Sequence, residues 1–261
     1  MTPPAYELDG LRHCYGTRCV VDIPALEVRS GEILGIVGPS GAGKSTLLRL
    51  LNFLEAPTHG LLRFHDRPAG PDLPLEVRRE VVTVFQHPIL LRRSVAANLR
   101  FALRIRGTTE DDGEVEQWLG RLGLSELSHV PARTLSAGEA QRVALARSLI
   151  VNPSVILLDE PTGNLDPYNV GLIEEIVRAD NAGRGTTVVL VTHDVFQARR
   201  LAHRTGLMMD GRIVELADTE AFFTAPQHEQ TAAFLRGDLA PVTVPAPRLQ
   251  RRRRRWWRKD R

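Results

Sequence analysis

The sequence predicts a mainly parallel α/β fold with an antiparallel β subdomain and an inserted helical subdomain. Three observations lead there. A short apolar run at 32–37, EILGIV, passes through a Gly-rich stretch into leucines at helical spacing, TLLRLLNFL at 46–54. From residue 138 onward, β-branched apolar runs alternate with segments of helical period, the pattern of parallel strands joined by crossover helices. That alternation is interrupted twice, by period-two runs near the N-terminus and by a wholly helical stretch at 89–135.

Each element has a local reason. Residues 6–11 and 20–28 alternate apolar and polar side chains and read as antiparallel strands, with a turn at Tyr15-Gly16 between them. Ser30-Gly31 punctuates before the buried strand at 32–37, and the leucine helix follows at 46–54. Next come a turn at 56–60, a short strand at 61–64 and a Pro/Gly-rich loop at 67–74. A charged lead at 76–80 opens the buried strand VVTVF at 81–85, which stops at Gln86. Residues 95–103 and 114–122 repeat apolar side chains every three or four positions, and Glu110, Asp111 and Asp112 suit the start of the second helix. A helix at 138–149 precedes a strand at 155–158, a helix at 170–179, a strand at 187–192, a helix at 195–203 and two short strands around Asp210-Gly211. No internal repeat is visible. The expected organisation is one folded unit over 1–240, its helical subdomain at about 88–150, then a tail at 241–261.

Composition bounds the function. A chain of 261 residues with 43% hydrophobic and 25% charged residues buries a sizeable core and reads as an ordinary globular protein. No apolar run approaches the ~18 residues that span a bilayer, and the N-terminal MTPPAYELDGLRH lacks the apolar centre of a secretory signal. Cys14 and Cys19 form no CxxC and have no His cluster beside them; they read as reduced cytosolic thiols, a strained pair being the alternative. The net charge of +3 is uneven: nine basic residues and one acid lie between Arg248 and Arg261, leaving 25 basic against 30 acidic residues in the body. Nucleic-acid binding therefore finds no support in the charge of the folded part.

The stretch GPSGAGKST fits G-x-x-x-x-G-K-[ST] at every fixed position. Gly38, Pro39, Ser40, Gly41, Ala42, Gly43, Lys44, Ser45 and Thr46 are thus the candidate phosphate cradle for ATP. Glycines let successive N–H groups converge on phosphate oxygens, and the following helix points its positive end at the same anion. Lys44 is suited to reach the β and γ phosphates, and Ser45 to hold Mg²⁺ through its hydroxyl. A second site is VILLDEP at 155–161, an apolar strand whose end delivers Asp159 and Glu160 to the carboxyl edge of the sheet, where ligands sit in open α/β folds. Asp159 is suited to hold Mg²⁺, and Glu160 to orient the water that attacks the γ phosphate.

The third stretch, LSAGE at 135–139, runs into AQRVALARSL. In this order the motifs resemble the ATPase subunit of ABC transporters, over nearly all of residues 5–237. The resemblance implies a P-loop NTPase cassette with a RecA-like core sheet, ATP and Mg²⁺ as ligands, and a head-to-tail dimer that sandwiches ATP. It implies that Ser136 and the N–H of Gly138 cap the γ phosphate held by the other copy. LSAGE departs from the usual LSGGQ at Ala137 and Glu139, which puts the turnover rate in question. Tyr15 matches the aromatic that stacks on adenine, and Gln86 the glutamine that senses Mg²⁺ and water. Asp166 in GNLDP matches the carboxylate that reaches across the dimer, and His193 in TVVLVTHD the histidine that bonds the γ phosphate. Read alone, Tyr15 is equally a packing residue and His193 a capping residue; the ordered set changes both readings.

The stretches FQHPILLRRSVAANL, PARTLSAGEAQRVALARSL and LVTHDVFQARRLA look like the importers of tungstate and related oxyanions, with phosphate, molybdate and polar amino acid importers close by. The implied partners are transmembrane permease subunits, met near residues 88–93, and indirectly an extracytoplasmic binding protein; the implied location is the cytoplasmic side of the membrane. The chain ends about 25 residues after the resemblance stops, which leaves no room for an appended regulatory domain. A soluble ABC ATPase of translation or DNA repair is one rival, and neither tandem cassettes nor long heptad arms appear. The partner of a membrane-bound exporter or of lipoprotein release is another rival. A nucleotide sensor without turnover is a third, and Glu160 and His193 argue against it. The tail runs from PVTVPAP into RRRRRWWRKDR. Arginine clusters suit anionic lipid headgroups and Trp256-Trp257 an interface; the tail reads either as a membrane-surface anchor or as a solvated end.

Overall fold

The computed structural model describes residues 3–108 and 111–238. The tail anchor and Glu110 lie outside the described residues. Among the described residues no helix is long and apolar enough to cross a membrane.

Among the described residues, ten strands fall into two sheets. Strands β1 (Tyr6–Tyr15), β2 (Arg18–Val28), β4 (His59–Phe64) and β5 (Arg67–Pro68) form an antiparallel sheet in the order β2-β1-β4-β5. Strands β3 (Ile33–Val37), β6 (Val81–Val84), β7 (Val155–Asp159), β8 (Thr187–Thr192), β9 (Arg204–Met209) and β10 (Arg212–Asp218) form the second, ordered β10-β9-β3-β8-β7-β6. It is parallel except for β10, which folds back on β9. The helices are α1 (Lys44–Leu51), α2 (Leu75–Arg78), α3 (Val95–Arg106), α4 (Asp112–Arg121), α5 (Ala137–Leu149), α6 (Pro167–Arg184), α7 (Val195–Leu201), α8 (Thr219–Thr224) and α9 (Glu229–Arg236).

The parallel sheet is buried on both faces, which is why its strands read as unbroken apolar runs. Alternate residues serve alternate cores. Ile156 and Leu158 of β7, with Val188 and Leu190 of β8, pack among residues of α3, α4, α5 and α6. Val155 and Leu157, with Val189 and Val191, pack against α1 and the antiparallel sheet. Tyr6, Phe53 and Phe64 form an aromatic group in this second core, and the Tyr6 hydroxyl donates to the Leu51 carbonyl at 3.0 Å. The strand ends carrying Val37, Asp159 and Thr192 therefore emerge side by side between two packed layers.

Two expectations change. The cysteines are not free thiols: Cys14 and Cys19 form a disulfide. The hairpin register sets them directly opposite one another, with Cα atoms 3.9 Å apart. The charged lead at 76–80 overlaps a one-turn helix, α2, none of whose residues is fully buried and whose four residues are too few to show a helical period.

Candidate functional site

The phosphate loop lies between β3 and α1. Gly43 caps α1 in a left-handed conformation, φ 104°. A Cβ there would stand 2.4 Å from the Val20 carbonyl oxygen, so only glycine lets the loop pass under β2. Lys44 is buried, and its Nζ donates to the carbonyls of Gly38 at 2.8 Å and Pro39 at 3.0 Å. Burial holds its ammonium pKa below the ordinary lysine value, opposed by the carboxylates of Glu160 and Asp159. Ser40, Gly41, Gly43, Lys44, Ser45, Thr46 and Glu160 line a cleft of about 350 Å³, together with Arg18 and Val20 from β2.

The strand ends bond to the cleft lining. Ser45 Oγ donates to Asp159 Oδ1 at 3.1 Å. Desolvation pushes the Asp159 carboxyl above the ordinary range, and the Ser45 hydrogen bond partly offsets this. A hydroxyl and a carboxylate oxygen at this spacing are hard donors of the kind a divalent cation such as Mg²⁺ takes, so the pair fits that ion. Glu160 follows β7 with φ 47°, outside the usual range for a side chain of its size, and its N–H donates to the Val191 carbonyl of β8 at 2.9 Å. Its Oε2 lies 2.9 Å from His193 Nδ1. Lys44, Ser45, Asp159, Glu160 and His193 thus form one contiguous set.

The other predicted residues lie elsewhere. Gln86 does not line the cleft; its amide nitrogen stands over Gly163, where a Cβ would come within 2.7 Å of it. Tyr15 ends β1 with its ring edge on His13, and its hydroxyl donates to Glu55 and accepts from Arg49. It does not line the cleft either; Arg18 and Val20 do, and no sequence motif marked them.

Ser136, Gly138 and Asp166 form a second group. Ser136 caps α5: its Oγ accepts from the Glu139 N–H at 3.3 Å, while Glu139 Oε2 accepts from the Ser136 N–H and hydroxyl, both at 2.8 Å. Those bonds hold the Glu139 carboxyl below its ordinary pKa. The departure from glutamine at 139 is therefore a capping box. Ala137 is exposed. Asp166 caps α6, accepting from the N–H groups of Tyr168 and Asn169 at 3.0 Å and from the Asn169 amide, which lowers its pKa. Asn169 in turn accepts from Arg142 Nη1 of α5 at 2.8 Å. None of Ser136, Gly138 or Asp166 lines the phosphate cleft of its own copy. Gln141 Nε2 of α5 donates to the Phe85 carbonyl, beside Gln86, at 3.1 Å, which ties α5 to the end of β6.

A buried lysine at the mouth of a glycine loop, with two strand-end carboxylates, a serine and a histidine around it, defines a P-loop ATPase. Residues 21–163 match the ABC transporter family. The chain is 40% identical over 88% of its length to a Haloferax volcanii protein named "Probable anion import ATP-binding protein", covering 85% of that protein. It is 37% identical to a phosphate import ATP-binding protein of Natronomonas pharaonis (88% of this chain, 86% of that one). It is 39% identical to a tungstate uptake system ATP-binding protein of Peptoclostridium acidaminophilum (80% and 96%). A methionine import ATP-binding protein of Geobacillus kaustophilus matches at 39% (87% and 68%). Two solved structures share the fold. CbiO1 of Clostridium perfringens, part of the ABC transporter complex cbiONQ, aligns with TM-score 0.78 at 28% identity (85% of this chain, 92% of that one). A dimeric ATP-binding cassette in a post-hydrolysis state with ADP and phosphate aligns with TM-score 0.74 at 29% identity (82% and 98%). The chain belongs to the ABC transporter family: it is the ATP-binding subunit of an import system and an ATPase.

Proposed function

We propose that this ATPase drives uptake of an oxyanion, most closely tungstate, through a separate permease. The observation that carries the mechanism is the division of the site. Lys44, Ser45 and Glu160 line the cleft, with Asp159 bonded to Ser45 and His193 bonded to Glu160, while Ser136, Gly138 and Asp166 lie outside it in the same copy. A second copy set head to tail brings its Ser136 and Gly138 over the first copy's bound ATP.

In this reading the N–H groups of residues 38–46 cradle the phosphates. Lys44 exchanges the Gly38 and Pro39 carbonyls for phosphate oxygens, whose negative charge favours its ammonium against the burial that disfavours it. Ser45, Asp159 and Gln86 would hold Mg²⁺, and the ion would neutralise charge on the phosphates. Glu160 accepts a proton from the attacking water, and His193, held by Glu160, turns its other nitrogen toward the γ phosphate. Tyr15 leaves Glu55 to stack on adenine. Gln86 and the segment at 88–93 face the permease; Ile89, 85% exposed, offers it an apolar contact. The ATPase unit spans 1–240, with its helical subdomain at about 88–150 and its tail at 241–261. It works peripherally on the cytoplasmic side of the membrane, with an extracytoplasmic binding protein supplying the oxyanion.

The oxyanion class is supported by relatives whose names specify anion, phosphate and tungstate import; the methionine relatives at similar identity support the competing amino acid reading. Uptake of tungstate, molybdate, phosphate and methionine into cells lacking this chain separates them. Loss of tungstate uptake alone is expected, and unchanged tungstate uptake with lost methionine uptake rejects the reading.

A further inference from the structure

The end of the β1–β2 hairpin is built around an irregularity. His13 faces Val21, but the next pair is Cys14 with Cys19, so Val20 has no partner across the ladder and β2 bulges there. In a regular ladder Cys14 would face Val20, and Cys19 would project from the opposite face of the ribbon. The disulfide and the bulge therefore require each other. The bulge has a second contact. The Val20 carbonyl packs on Gly43 of the phosphate loop, where a Cβ would stand 2.4 Å from it, and on Gly211, where a Cβ would stand 2.8 Å away. Val20 and Arg18 also form the β2 wall of the phosphate cleft. A covalent bond one residue away thus fixes the backbone that touches Gly43 and the wall that faces the nucleotide.

We propose that Cys14 and Cys19 are a reversible thiol clamp on the nucleotide pocket. Oxidised, the pair holds the bulge and the Arg18–Val20 wall in place for ATP. Reduced, the hairpin is free to slip toward the regular register, and the Val20 carbonyl leaves Gly43. The inference rests on ATP binding at residues 38–46. The ring closed by the disulfide is short, with a sequence separation of 5, so its contribution through loop entropy is at the small end and its effect is local. Both cysteines are within reach of solutes, since Cys19 is exposed and Cys14 partly so. The sequence holds only these two cysteines, so no third thiol competes. In a reducing compartment such a bond is transient and sensing rather than structural.

The chemistry balances by exchange with a low-molecular-weight disulfide such as oxidised glutathione. One thiolate attacks the oxidant's S–S bond and releases one glutathione thiol; the second cysteine displaces the other from the mixed disulfide. One S–S bond breaks and one forms, the two cysteine protons pass to the two released thiols, and the protein is oxidised as glutathione is reduced.

The test uses the full chain equilibrated in glutathione buffers, with thiol state read by alkylation and mass. Binding of a fluorescent ATP analogue is expected to be about three- to tenfold tighter to the oxidised protein, the range that pre-organising a few side chains produces. By reciprocity, saturating ATP shifts the thiol–disulfide equilibrium toward the disulfide by the same factor. The double variant Cys14→Ser with Cys19→Ser is expected to bind like the reduced wild type and to ignore the thiol buffer. Equal affinity of the verified oxidised and reduced forms overturns the clamp and leaves the ATP site standing, as does failure of oxidised glutathione to form the bond. Absence of binding in both states, as expected for Lys44→Ala, overturns the ATP site and the clamp together.

Discussion

His193 Nδ1 lies 2.9 Å from Glu160 Oε2, each residue the first beyond its strand, on neighbouring parallel strands. A carboxylate only accepts, so Nδ1 carries the proton in this pair and Nε2 is left to meet a ligand. The contact orients both side chains.

If Glu160 takes the proton of the attacking water, Glu160→Gln binds ATP and hydrolyses it slower by roughly 10² or more. The slow variant accumulates as an ATP-bound dimer. Phosphate release and size-exclusion with Mg-ATP measure both; turnover at the wild-type rate rejects the role.

Glu139→Gln keeps the shape of the α5 cap and loses its charge. The expected cost is about 0.5–1 kcal/mol, at the low end because the cap is partly solvated, or roughly 1–4 °C in thermal midpoint. The sign of the pH dependence follows from the depressed carboxyl. The wild-type advantage is present at neutral pH and disappears as pH falls through the folded-state pKa of Glu139. Melting curves of the two proteins against pH check this; a constant difference at all pH values contradicts it.

Asp159 carries the opposite sign. Its carboxyl is raised by desolvation, so the folded protein binds that proton more readily than the unfolded chain. Its contribution to stability is full below the unfolded pKa and is lost as pH rises through the folded one. Asp159→Asn is therefore expected to raise the midpoint without nucleotide at pH 7. It is also expected to abolish the extra stabilisation that Mg²⁺ adds to ATP. Thermal scans with ATP plus either Mg²⁺ or a chelator read both effects, and an undiminished Mg²⁺ increment removes Asp159 from the metal site.

Deleting residues 248–261 removes nine basic residues and both tail tryptophans. Binding to anionic vesicles at physiological salt is expected to fall, binding to neutral vesicles to stay low, and ATPase activity to survive. Full-length protein that binds anionic vesicles no better than the truncated form makes the tail a solvated end; preferential binding to single-stranded DNA makes it a nucleic-acid arm.

The sequence exposed what is local. The loop at 38–46, the strand end at Asp159-Glu160 and His193 were all legible because each follows an apolar strand that announces itself. The order β3-β8-β7 was not, because strand neighbours are chosen by crossover connections and not by the runs themselves. Helix α1 begins at Lys44, two residues before the leucine period suggests, because Gly43 ends the loop at a left-handed turn. The cysteine pair, and the places of Arg18 and Val20 in the cleft wall, depend on one unpaired residue in a hairpin register, and no composition signal encodes a bulge. Tyr15 was legible as an aromatic at the hairpin turn, but not its hydrogen bonds to Glu55 and Arg49, which come from residues 40 and 34 positions away.

Gly138 bears on how substitutions at this site are to be interpreted. A Cβ there would come within 2.3 Å of the Asn169 side chain, which in turn bonds both Asp166 and Arg142. An inactive Gly138→Ala protein would invite the explanation that an amide no longer reaches a phosphate. The same phenotype would arise if the methyl displaced Asn169 and carried Asp166 with it, with every phosphate contact still available. Loss of function at position 138 is therefore ambiguous between a recognition defect and a misplaced neighbour. Only a compensating truncation, Asn169→Ala or Asn169→Gly in the same chain, tells one diagnosis from the other.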